Sequence, residues 1–195
     1  MRYVFLDVDG VLANWRSQMM TGSGPTADRS LIFLQGDPDE APPLERSCVE
    51  ELASLCRDCN ATVILSSTWR VDPVLCAFLR RTLEGAGVAV GGATPHTADA
   101  TGRGGEILRY LRASDVVVDS FVILDDEHAE SFELCELTPR FARTKMASES
   151  YLPGDDETCP RFDPGAGLTR EVSQRAKKTL ERPLDASERA KYDLR

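Results

Sequence analysis

The chain has 195 residues, 42% of them apolar, which suits one domain with an ordinary core at ~150 residues per domain. Lys and Arg number 23 against 32 Asp and Glu; the formal charge of −9 argues against an extended nucleic-acid surface but leaves room for a local basic pocket for one phosphate. No apolar run nears the ~20 residues that span a bilayer, and the first residues enter a strand rather than a leader, so no membrane role and a cytoplasmic protein, with nuclear placement as the alternative, are expected.

Val4, Phe5 and Leu6 form an apolar run too short for a helix, which predicts a buried first strand. Asp7, Asp9 and Gly10 follow it. Residues two apart on a strand point the same way, roughly 6.5–7 Å apart, so both carboxylates are expected at the strand's carboxyl end. Paired carboxylates repel unless a proton or a cation intervenes, and Mg²⁺ is the natural oxygen-liganded choice. An Asx-type turn capping the strand is the plain alternative.

Residues 14–43 are dense in Gly, Pro and Asp and form a long connection, expected to be a small cap or lid insertion, with a short strand or helical turn over Leu31–Leu34. The spacing of Leu44, Cys48, Leu52, Leu55 and Cys59 predicts an amphipathic helix. Cys76, Cys135 and Cys159 are scattered, and no second CxxC or His pair accompanies Cys56 and Cys59, so these read as small core residues rather than a zinc or redox site. Val63–Leu65 predicts a second buried strand ending in Ser66, Ser67 and Thr68. A right-handed strand–helix–strand crossover then brings these hydroxyls to the edge that holds Asp7 and Asp9.

Asp72 and Pro73 open a helix as cap and first turn, with Val74, Leu75, Phe78, Leu79 and Leu83 facing inward and Gly85 and Gly87 closing it. Val88–Val90 reads as a short strand followed by a loop, GGATPHTAD. From Arg103 a helix turns Ile107, Leu108 and Leu111 inward, and Phe121–Leu124 is a third buried strand ending in Asp125, Asp126 and Glu127. Ser131–Leu137 suggests a short helix and Arg140–Thr144 an edge strand. Residues 146–167 read as loop and Thr169–Leu180 as a last core helix, with 183–195 left as a tail that frays or continues helically.

Three apolar strands thus end in Asp7 and Asp9, Ser66 and Ser67, and Asp125 and Asp126, with Arg103 at a helix start before the third. Arg70 and Thr68 follow the hydroxyl strand as candidate substrate-binding residues; a structural ion pair is the other reading of Arg70. Trp15 and Trp69 read as packing residues, and His96 and His128 as loop and surface residues.

In DVDGVL (7–12), VILSS (63–67), Arg103 and ILDDE (123–127) the chain resembles the haloacid dehalogenase-like phosphohydrolases. LSSTWR (65–70), GGATPH (91–96), RGGEIL (103–108) and VILDDE (122–127), with FARTK (141–145) and GLTREV (167–172), resemble more closely the HAD domains grouped with Swiss army knife RNA-repair proteins. The resemblance implies an α/β, Rossmann-like three-layer sandwich around a central parallel sheet, one domain over 1–182, with a small or absent cap. It further implies Asp7 as nucleophile, Asp9 as general acid and then base, Ser66 or Ser67 (Ser67 preferred) as hydrogen-bond donor to the phosphoryl group, and Arg103 as the neutralising cation. Mg²⁺ would be held by Asp7, by Asp9 through its backbone carbonyl, and by Asp125 or Asp126. An Asp at position 9 points to a phosphatase or phosphotransferase, because a leaving alcohol needs a proton. The expected substrate is a phosphomonoester on a phosphorylated small molecule, nucleotide or nucleic-acid end. A catalytically idle binding module and a metal-dependent nuclease are the alternatives.

Overall fold

The computed structural model describes residues 1–20, 30–34, 42–148 and 163–194. Five parallel strands form one sheet in the order β5-β4-β1-β6-β7, where β1 is Arg2–Leu6, β4 Ala61–Leu65, β5 Val90–Ala93, β6 Ser120–Asp125 and β7 Phe141–Arg143. A separate antiparallel pair joins β2 (Leu31–Ile32) to β3 (Leu44–Glu45). The expected Rossmann-like parallel sheet is therefore present, flanked by helices on both faces.

Alternation along β1 builds two cores, because successive side chains point to opposite faces. Val4 and Leu6 join Val63, Leu65, Val122 and Leu124 beneath α2 (Arg46–Cys59) and α6 (Arg170–Glu181). Tyr3 and Phe5 join Ile64, Phe121 and Ile123 on the other face, beneath α4 (Gly102–Arg112) and α5 (Ala129–Leu134). The central strands are buried on both faces, which is why they read as unbroken apolar runs. Cys48, Cys56 and Cys59 are buried free thiols in the first core, as expected for small core residues.

The helix predicted from Leu44 begins at Arg46, since Leu44 and Glu45 are taken by β3. The helix α3 (Pro73–Gly85) has the expected start: Asp72 accepts from the N–H groups of Val74 and Leu75. Phe78, Leu79 and Leu83 of its expected apolar face are buried, whereas Val74, beside the cap, is exposed. The short strand expected at Val88–Val90 lies instead at Val90–Ala93 and includes two glycines of the expected loop. Gly91 fits there because a Cβ would come within 2.7 Å of the Thr62 methyl.

Of the 14–43 insertion, the described parts are α1 (Trp15–Met19), capped by Asn14, and β2; residues 21–29 and 35–41 lie outside the described residues, as do Cys159 and 149–162 of the expected 146–167 loop. The C-terminal stretch forms a helix, α7 (Ala186–Tyr192), opened by a capping box between Asp185 and Glu188. Tyr192 at its end is 1% exposed and packs edge-on against Phe121. No helix among the described residues is long and apolar enough to cross a membrane.

Candidate active site

Parallel pairing fixes which strand ends meet. Leu6 is in register with Leu65 on one side and Leu124 on the other. The ladder runs one step further: Asp7 N–H donates to Leu124 O and Ser66 N–H to Leu6 O. Asp7, Ser66 and Asp125 therefore form one row across three adjacent strands. By alternation they continue the line of Phe5, Ile64 and Ile123, on the sheet face covered by α4.

That face explains Arg103, the second residue of α4. Its guanidinium is 8% exposed and lies over the row, with Nη1 2.7 Å from Asp7 Oδ1 and 3.0 Å from Asp125 Oδ2. Asp125 is fully buried, and its second oxygen accepts from Glu127 N–H at 2.9 Å, so both of its oxygens are held. Asp126 comes close because residue 10 is glycine. Gly10 has φ +68°, and a side-chain carbon there would overlap the Asp126 carboxyl.

Carboxylate oxygens of Asp7, Asp125 and Asp126 lie within 4.8 Å of one another. One guanidinium cannot balance three carboxylates. Burial, and next the Asp7 charge, push Asp125 well above the usual carboxylate range and Asp126 to about 6. An all-oxygen, buried, over-negative set of this size suits a small hard dication such as Mg²⁺. The Asp9 side chain stands outside this set: Trp69 Nε1–H donates to its Oδ2 at 3.0 Å. Burial and then Asp7 raise the Asp9 pKa, while hydrogen bonds with Trp69 and Gln18 hold it back. Asp9 is thus a partly buried carboxyl biased toward its acid form beside a carboxylate row.

The two serines separate cleanly. Ser67 Oγ caps the short turn Thr68–Arg70 by accepting from Trp69 N–H, and alternation turns it away from the row. Ser66 is in the row, fully buried, and its Oγ has no partner. Of the two, Ser66 and not the preferred Ser67 shares the row with Asp7 and Asp125.

For Arg70, expected as a substrate residue or a structural ion pair, the structure shows the ion pair. Its five N–H donors go to Thr94 O, Ser66 O, Ser67 O, Pro95 O and the Glu106 carboxylate, and its side chain is 3% exposed. Nothing in that fork remains for a ligand. Arg70 ties the ends of β4 and β5 to α4, the structural ion pair that was its other reading, with a partner that local spacing does not reveal. Thr68 stands exposed at the start of its turn. Trp69 is buried against Phe78 as expected, and its contact with Asp9 is the unforeseen part; Trp15, expected to pack, is 39% exposed. His96 is exposed near Glu106, and His128 is exposed in a left-handed conformation after the acidic strand end.

The sequence model described as "HAD domain in Swiss Army Knife RNA repair proteins" matches residues 3–148, a span that holds every site residue above. No curated protein and no solved structure gives a match.

Proposed function

Because this chain belongs to the family of HAD domains in Swiss Army Knife RNA repair proteins, we propose that it is a Mg²⁺-dependent phosphatase acting through an aspartyl-phosphate on a nucleotide or nucleic-acid end. The observation that carries the reading is the convergence of Asp7, Asp125 and Asp126 under Arg103, with Asp9 set apart and biased toward its acid form.

The Asp7 carboxylate attacks phosphorus, forming an Asp7 O–P bond while the ester P–O bond breaks. The electron pair leaves on the alcohol oxygen, which takes the proton of Asp9. Asp9, now a carboxylate, accepts a proton from the water that attacks the aspartyl-phosphate, and Asp7 is released with inorganic phosphate. Ser66 Oγ, buried and without a partner, donates to a phosphoryl oxygen. Arg103, already against Asp7, neutralises charge on the transferring group. Asp7, Asp125 and Asp126 would hold Mg²⁺, which when bound supplies the positive charge that lets a phosphate dianion approach an anionic nucleophile.

The test is phosphate release from an aryl phosphate. Asp7→Asn should lower turnover by at least about a thousandfold with an unchanged melting temperature. EDTA should abolish the activity of the unmodified protein and Mg²⁺ restore it. Full turnover by Asp7→Asn or in chelator sinks the mechanism. No turnover and no vanadate binding by the unmodified protein would point instead to an idle binding module.

A further inference from the structure

Resting on that phosphatase reading, we propose that the cavity beside the start of α6 is a subsite for a second phosphate of the substrate, the one next along the nucleotide chain from the phosphomonoester at Asp7. The cavity measures about 480 Å³ and is walled by Arg143, Thr144, Lys145, Arg170 and Arg175, with Glu171 as the only carboxylate among the described lining residues. Among the described lining residues, four cations accompany one carboxylate in a chain of formal charge −9.

Two further features point to an oxyanion. The α6 helix is 12 residues long, and its cap Thr169 reaches only the Val172 N–H, so the first-turn N–H groups beside Arg170 and Glu171 have no carbonyl ahead of them. On the β7 side, Thr144 is 1% exposed, lines the cavity, and its Oγ1 has no partner. A buried hydroxyl without a partner is costly, and a ligand oxygen would satisfy it. Arginine forks and helix N–H groups suit a tetrahedral phosphate better than they suit a planar ring. The volume exceeds that of one phosphate and leaves room for part of a sugar.

The cavity is wired to the reacting edge. Thr144 N–H donates to Asp125 O at 3.0 Å, and Arg143 Nε donates to Asp126 O at 3.0 Å. Arg175 Nη2 in turn donates to Arg143 O at 3.2 Å. Two strand spacings, about 10 Å, separate β1 from β7, a span that one or two nucleotide units cover. A monoester held at Asp7 would present its neighbouring phosphate here. A nucleoside 3′,5′-bisphosphate and an oligonucleotide with a terminal phosphate share that chemistry.

The experiment compares the unmodified protein with the double variant Arg170→Ala/Arg175→Ala, neither residue lying in the reacting row. Three substrates are assayed with Mg²⁺: an aryl phosphate, a nucleoside 3′,5′-bisphosphate and a trinucleotide with a terminal phosphate. The double variant should leave kcat/KM for the aryl phosphate unchanged and raise KM about tenfold or more for a substrate with a second phosphate. An effect confined to the bisphosphate or to the trinucleotide identifies which source the subsite serves. Equal kcat/KM losses on all three, or no change on any, overturns the subsite. Binding of the labelled trinucleotide, followed by fluorescence anisotropy against salt, gives a readout independent of turnover. The slope of log K against log salt should become shallower by about 0.7 for each phosphate that the variant no longer neutralises. If the unmodified protein hydrolyses nothing, the phosphatase reading fails; affinities of the two proteins that are identical both for the trinucleotide and, by competition against it, for the bisphosphate are what sinks the subsite.

Discussion

The indole of Trp69 reaches Asp9 across 60 positions of sequence, and this hydrogen bond works against the burial and the Asp7 charge that raise the carboxyl's pKa. A donated N–H favours the charged form, so Trp69→Phe should raise the Asp9 pKa further. The acid form then persists to higher pH, and the alkaline limb of the kcat/KM profile should move upward. The higher pKa also makes Asp9 a poorer proton donor to the leaving alcohol in the same variant, and kcat should fall about tenfold. A pH–rate series on the two proteins checks this, and an unmoved limb would remove Trp69 from the mechanism. The carboxylates and Arg103 were legible in the sequence because each ends an apolar strand or opens a helix. The partners of Asp9 and Arg70 were not, since Trp69 and Glu106 meet them only through folding. Ser66 and Ser67 are alike as letters, with Ser67 preferred, and strand alternation places only Ser66 in the row once the register with Leu6 is known.

Among the elements, β1, β4 and β6 were readable because strands buried on both faces carry no polar interruption. β5 was not, because Gly91 and Gly92 mimic a loop while serving a close approach to Thr62. α7 was half-readable: the Asp185 and Glu188 spacing is a capping-box signature, but its docking depends on Arg140. That guanidinium is fully buried, donates to Glu188 at 3.0 and 2.7 Å, and also donates to Ser120 Oγ and to Thr179 and Arg182 carbonyls. Burial works against the Glu188 carboxylate, yet Arg140 and the Asp185 N–H hold its pKa below the usual value. A depressed folded pKa contributes stability above the unfolded value, about 4.3 for Glu, that is lost as pH falls through the folded one. Glu188→Gln should therefore cost about 3 kcal/mol near neutral pH, with the gap to the unmodified protein closing below about pH 4. Urea unfolding at several pH values measures it, and a pH-independent gap would refute the ion-pair account.

At the scale of the molecule, the carboxyl edge of the sheet concentrates negative charge that folding alone does not neutralise. Asp126, raised to about 6, binds protons in the folded state at pH values where the unfolded chain has released them. Stability in EDTA should therefore fall as pH rises from about 4 through about 6. Mg²⁺ competes with those protons, so the rise in melting temperature on adding Mg²⁺ should be larger at about pH 8 than at about pH 5. Scanning calorimetry with and without the ion tests this, and an equal shift at both pH values would place the ion elsewhere. The two ends of β6 carry opposite duties: Ser120 anchors the arginine hub at one rim, and Asp125 faces the row at the other. About 17 Å of strand insulates them. Laboratory selection for thermal robustness therefore has a safe address in α7 and its neighbours, where substitutions can firm up the scaffold without retuning the reacting groups.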